Sequence, residues 1–249
     1  MQYKHLSNLY DTFIEVDYPA WSTFVHEQIN KHSPHNQHKI LELGCGTGSL
    51  TKELSKHYPI LALDISEEML AIAKQKVTTE TVTFLTQDMA QLHLSDKQKK
   101  GLTTCISTCD SLNYLTEPED LMATFERVHD ALEPGGLFIF DLNTPYKYET
   151  ILADNTFSYT DDTGAVIWEN LFDDESQLNE YYLTIFQQDG VNTKTYTRLQ
   201  ESHYQLAYTP DFIKQSLTFA GFELVTTCDD YTDKAVTATT QRIVFVTRK

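Results

Sequence analysis

The chain has 249 residues, with 36 acids against 19 lysines and arginines and a formal net charge of −17. Such a surface repels phosphate backbones, which argues against nucleic acid as a substrate, and the acids serve most simply to keep the protein soluble. No stretch approaches the ~20 apolar residues of a membrane span, and the start, Met1-Gln2-Tyr3-Lys4-His5, lacks the apolar core of a secretory signal, so a cytoplasmic protein is expected.

The N-terminal stretch is rich in aromatics, among them Tyr10, Tyr18, Trp21 and Phe24. Pro19 and the spacing of Trp21, Phe24, Val25 and Ile29 predict a helix from Tyr18 to Lys31. His32 to His38 is a polar loop whose three histidines have no nearby acid or thiol, so no metal is expected there. The four cysteines at 45, 105, 109 and 228 form no Cys-x-x-Cys pair, and no metal site is expected elsewhere.

Ile40-Leu41-Glu42-Leu43 then reads as a buried strand, followed by Gly44-Cys45-Gly46-Thr47-Gly48 and a helical pattern through His57. Glycines at alternate positions let the backbone turn sharply and approach a ligand, and the helix N-terminus offers unpaired N–H groups. Dinucleotide enzymes prefer Gly-x-Gly-x-x-Gly, but position 49 here is serine and the glycine stands at 48. The Gly-x-Gly-x-Gly run resembles motif I of the class I S-adenosylmethionine-dependent methyltransferases.

Ile60–Leu63 is a second strand ending in Asp64, where an acid can accept from both ribose hydroxyls or cap the helix opened by Ser66-Glu67-Glu68. Val82–Leu85 is a third strand, closed by Gln87-Asp88-Met89. The resemblance implies that Asp88 accepts from the adenine amino group and that Met89 packs on the ring, a role compatible with core packing. Ser95 to Gly101 reads as a surface loop, and Leu102–Thr108 as a fourth strand leading into Cys109-Asp110-Ser111. The Pro-Pro-aromatic motif of DNA amino-methylases is absent there. Pro118–Leu132 is a helix, and Leu132-Glu133-Pro134-Gly135-Gly136 resembles the family's turn before a fifth strand at Leu137–Phe140.

Beyond it the strand–helix alternation stops. Ala165–Leu171, Glu180–Phe186 and Thr195–Tyr204 are rich in β-branched and aromatic residues and predict an antiparallel insert of three or more strands. That insert, 148–208, is expected to act either as a lid or as an outer sheet pairing two copies in a homodimer. Pro210–Ala220 is a helix, and Phe222–Cys228 with Arg242–Thr247 form a closing strand pair.

Together the motifs are similar to the branch containing glycine N-methyltransferase, sugar N,N-dimethyltransferases and related bacterial proteins. The resemblance implies one α/β domain over residues 1–249. Its core is a Rossmann-like, seven-stranded, mostly parallel sheet with an antiparallel last strand, flanked by helices, and the β insert follows strand five. It implies S-adenosyl-L-methionine held by Tyr10, Gly44, Cys45, Gly46, Thr47, Gly48, Asp64, Ile65, Asp88, Met89 and Cys109, with Tyr10 capping the pocket. The activity implied is in-line methyl transfer to an N or O nucleophile of a small molecule. His203 and Tyr146, with Tyr204, are candidate bases, although a histidine in a strand is more often packed than catalytic. A cofactor-binding module without turnover and a dinucleotide oxidoreductase are the other readings.

Overall fold

The computed structural model describes residue 11, residues 16–190 and residues 193–249. Its frame is a seven-stranded sheet: β1 (Lys39–Leu43), β2 (Ile60–Asp64), β3 (Val82–Thr86), β4 (Leu102–Ser107), β5 (Leu137–Asn143), β10 (Glu223–Asp229) and β11 (Arg242–Arg248). The order is β10-β11-β5-β4-β1-β2-β3. β1 to β5 run parallel, and β11 alone runs against both neighbours, β5 and β10. The expected Rossmann-like sheet with one antiparallel closing strand is therefore present.

The central strands are apolar on both faces because both are covered. Leu41, Leu43, Phe138, Phe140 and Phe245 face α5 (Pro118–Ala131) and α6 (Pro210–Phe219) in one core. The alternate residues Ile40, Ile139, Val244 and Val246 face α1 (Tyr18–His32) and α2 (Ser49–Leu54) in the other. On that second face the period of two also places three charged residues at strand ends: Glu42, Asp141 and Arg242.

Helix starts follow side-chain caps. The carboxylate of Asp17 accepts from the Ala20 N–H (3.0 Å), and the Ser66 hydroxyl accepts from the Met69 N–H (3.2 Å) at the start of α3 (Glu67–Lys76). Residues 96–99, expected in a loop, form a short helix, α4 (Asp96–Lys99), because Ser95 and Gln98 close a capping box over it. α2 stops at Leu54, before the expected His57.

The insert holds four strands: β6 (Thr156–Thr160), β7 (Gly164–Asp173), β8 (Leu178–Gln188) and β9 (Tyr196–Leu206), all antiparallel in chain order. Its inner face buries Val166, Leu183, Ile185, Tyr181, His203 and Gln205, while Ile167, Leu171, Tyr182 and Tyr204 alternate onto an exposed face. A π-helical turn, Lys147–Leu152, leads into it. Asn113 donates to the Leu206 carbonyl (2.8 Å), tying β9 to the segment that follows β4.

Candidate functional site

An elongated cavity of about 430 Å³ lies at the carboxyl ends of β1, β2 and β4. That is where open parallel sheets take ligands, and the volume suits a small molecule. Gly44, Cys45, Gly46, Thr47, Asp64, Ile65, Asp88, Met89 and Cys109 all line it. Nine predicted residues, drawn from four separate stretches of sequence, are thus brought together.

The glycines differ in purpose. Gly46 has φ +54°, and a Cβ there would meet nothing within 4 Å, so its surface is open to the cavity. Gly48 does not line the cavity; at φ +75° its added Cβ would sit 2.9 Å from the Ala73 Cβ, so this glycine lets α3 pack close to the turn. Tyr10 lies outside the described residues. Its neighbour Asp11 accepts from the hydroxyls of Thr47 (2.7 Å) and Ser49 (3.0 Å) and pairs with Lys76 Nζ (2.7 Å). Burial pushes the Asp11 carboxyl up, but the bonds from Lys76, Thr47 and Ser49 together hold it below its ordinary value.

Asp64, buried at the end of β2, accepts the Gly46 N–H at Oδ2 (2.8 Å) and the Ser66 N–H at Oδ1 (2.9 Å). Burial raises its pKa, and those amide bonds pull against the rise. The carboxylate faces the cavity with acceptor capacity left over, which suits a hydroxyl-bearing ligand. Beside it Ile65 is 60% exposed, an apolar side chain left uncovered at the cavity wall. Asp88 uses Oδ1 to cap the turn at Ala90 (2.9 Å), while Met89 packs partly into the core. The Cys109 thiol is pushed up to about 12 by burial and by Asp141, so it stays a neutral wall group rather than a nucleophile.

Sequence reasoning singled out no role for Glu42. It is 2% exposed, lines the cavity, and accepts from the Thr51 hydroxyl (2.7 Å). Burial, with Asp64 nearby, lifts its pKa to about 8. An acid two residues before the first glycine was the available signal. Ser111 and Tyr114, from the segment after β4 that the sequence places beside the ligand, also line the cavity, together with Tyr18 and with Thr116 and Asp120, which sequence reasoning did not single out.

Behind Cys109 lies a buried network. Cys109 and Asp110 both adopt left-handed backbone (φ 57° and 50°). The Asp141 carboxylate accepts both of their N–H groups (2.9 and 2.6 Å) and the Tyr231 hydroxyl (2.5 Å). Arg242 spans Asp141 (2.6 Å) and Asp110 (2.8 Å) and lies 5.4 Å over the Trp21 ring, which stacks on Tyr231. From the inserted sheet, Gln205 Nε2 donates to Asp110 Oδ2 (2.7 Å), and Gln205 Oε1 accepts from Tyr148 and Tyr181. The turn lining the cavity is thus fixed from two sides.

The candidate bases are placed differently. His203 is buried on β9, with Nε2 3.2 Å from Glu201 Oε2 and its ring 6.0 Å from that of Tyr114. Tyr146 is half-buried before the π-helical turn. Neither lines the cavity, and Tyr204 lines a separate outer groove where its hydroxyl donates to Glu180 (2.9 Å). Among the described residues, no three His, Cys, Asp or Glu could hold a metal together, and no helix is long and apolar enough to cross a membrane.

Acids at the carboxyl ends of neighbouring strands, sharing one cavity with an open glycine turn, define an adenosyl-binding protein of the Rossmann-like class. The Methyltransferase domain family matches residues 40–136. A relative named as a methyltransferase in Geobacillus sp. (strain WCH70) is 35% identical over 100% of both chains. The crystal structure of an S-adenosylmethionine-dependent methyltransferase from Clostridium acetobutylicum ATCC 824 superposes with TM-score 0.87 at 32% identity, over 98% of this chain and 97% of that one. A dTDP-3-amino-3,4,6-trideoxy-alpha-D-glucopyranose N,N-dimethyltransferase of Streptomyces venezuelae is 26% identical over 61% of this chain and 62% of its own. The chain belongs to the S-adenosylmethionine-dependent methyltransferases, and S-adenosylmethionine is its cofactor. The pocket fits that group: open room over Gly46, acceptor capacity on Asp64 and Asp88, and apolar walls at Ile65 and Met89.

Proposed function

We propose that the protein transfers a methyl group from S-adenosylmethionine to a nitrogen or oxygen of a small-molecule acceptor. The observation that carries this is the single cavity running from Gly46, Asp64 and Asp88 to a second set of walls at Tyr114, Thr116 and Asp120. The first set is sufficient for a nucleoside; the second leaves room for a reactant beside it.

When bound, the cofactor supplies a methyl group on a positively charged sulfur, already activated toward attack. The chain then has only to hold, orient and shield the reactants. Asp64 would accept from the ribose hydroxyls and Asp88 from the base, with Ile65 and Met89 against the ring. The turn at Cys109, fixed by Asp141 and Arg242, would hold a wall of the same cavity in place. Residues 148–208 act as a lid on the acceptor side rather than as a dimer sheet, a reading supported by the bond from Gln205 to Asp110 and by groove residues from β8 and β9. A neutral nitrogen acceptor needs no strong base, which is consistent with His203 and Tyr146 lying off the cavity wall.

The test is calorimetric titration with S-adenosylhomocysteine, followed by transfer of labelled methyl into pooled small molecules. Tight binding with no label taken up by any small molecule refutes turnover and leaves a binding module.

A further inference from the structure

The cavity does not end at Tyr114. Tyr114 and Thr116 also wall a second, open space of about 360 Å³ that reaches solvent between the start of α5 and the inserted sheet. Leu178 and Leu206 give it an apolar side, and Tyr204 an aromatic one. The two spaces adjoin at these shared walls.

Its charge is one-sided. Asp120 stands on the inner space and Glu117 on the outer, and both are exposed at the first turn of α5. Glu119 joins them: the three carboxylates all raise the pKa of the Tyr208 phenol, after burial itself. Across the groove, Glu180 accepts from Tyr204. No lysine, arginine or histidine lines either space among the described residues. Of the bases on these elements, His203 sits with its ring 6.0 Å from that of Tyr114 and its Nε2 3.2 Å from Glu201, Arg127 reaches the Leu92 carbonyl, and Arg198 is paired far along β9, opposite Phe186.

We propose that this groove is the acceptor's access route and that the acceptor is a cationic amine carrying no phosphate or carboxylate. The inference rests on the methyl-transfer reading above. Aromatic faces and unopposed carboxylates attract an ammonium group. A phosphate or carboxylate would meet like charge at the mouth with no base to offset it. A bound ammonium sheds one proton before its nitrogen becomes a nucleophile, and the open mouth gives that proton to water.

The experiment separates the small molecules of a cell extract into cationic, neutral and anionic pools and incubates each with the protein and methyl-labelled S-adenosylmethionine. Label is expected in the cationic pool; label chiefly in the neutral or anionic pool overturns the proposal. S-adenosylhomocysteine binding with no label in any pool refutes methyl transfer itself, and this proposal falls with it. Glu117→Lys should lower kcat/KM on the cationic pool by about tenfold. Equilibrium dialysis should show the labelled product retained less by this variant, with S-adenosylhomocysteine affinity held within about twofold, since Glu117 lines the outer space and not the cofactor cavity. Equal retention and equal kcat/KM would overturn the groove assignment.

Discussion

Asp141→Asn should destabilise the protein and loosen the cofactor cavity together. The carboxylate accepts two main-chain N–H groups, the Tyr231 hydroxyl and one arm of Arg242, all while 1% exposed. Asparagine is nearly isosteric but replaces one accepting oxygen with a donor, so two of the four donors then face an N–H group. Charge-assisted hydrogen bonds contribute ~1.5–3 kcal/mol each. Breaking a buried ion pair costs about 3–5 kcal/mol. Relaxation of the left-handed backbone at Cys109 and Asp110 returns part of this, ~1–3 kcal/mol per residue. The net loss is on the order of 3 kcal/mol, which in a chain of this size lowers Tm by roughly 6–12 °C. Calorimetric unfolding of the cofactor-free protein measures the loss, and titration with S-adenosylhomocysteine measures the cavity. The double variant with Arg242→Met should cost less than the two single changes added, because both act on one network. A Tm drop below about 3 °C, or simple additivity in the double variant, would refute the claim that this carboxylate holds the turn.

Glu42→Gln should flatten the pH dependence of stability. A carboxyl raised to about 8 keeps its proton in the folded state while the unfolded chain ionises near 4.5, so stability falls as pH rises through that window, by at most ~1.4 kcal/mol per pH unit. Denaturant midpoints from pH 5 to 8 should show the slope in the parent protein, and an equal slope in the variant sinks the assignment. Asp64→Ala should weaken S-adenosylhomocysteine binding by roughly 1–3 kcal/mol, and an unchanged Kd removes Asp64 as the ribose partner. Gly46→Val should abolish that binding while Tm falls only modestly, because the new side chain enters open cavity; a positive φ of +54° adds ~1–2 kcal/mol of strain. His203→Gln should lower Tm yet leave kcat within a few-fold, since the ring lies behind Tyr114, and a loss of kcat beyond about 100-fold would restore it as the base.

The fold was readable because strand burial and glycine turns are local signals. Ile60–Leu63 is apolar throughout, and the acid that follows it, Asp64, marks the strand's end. That Gly46, Asp64 and Asp88 would share one cavity was readable for the same reason: they sit at fixed steps from strand ends. Gly48, which packs against Ala73 off the cavity lining, shows that spacing cannot tell a glycine that faces a cavity from one that admits a helix. The Asp110–Asp141–Arg242 network left no trace, since its members lie 31 and 101 residues apart and meet only once the sheet closes. The outer groove was hidden similarly, because Tyr114 and Leu206 come to line one space through a sheet whose packing direction no periodicity encodes. Residues 96–99 were read as loop because lysines dominate, yet the Ser95–Gln98 capping box outweighs composition over one turn.

Gln205 ties the history of the insert to that of the core. Its amide reaches Asp110 across 95 positions of chain, and Asp110 shares its guanidinium partner with the residue that shapes the cavity wall. An exchange of residues 148–208 between relatives would therefore carry with it a posture for the cavity wall. Chimaeras that graft a new sheet should have to bring a donor at this position, or redesign residue 110 along with it.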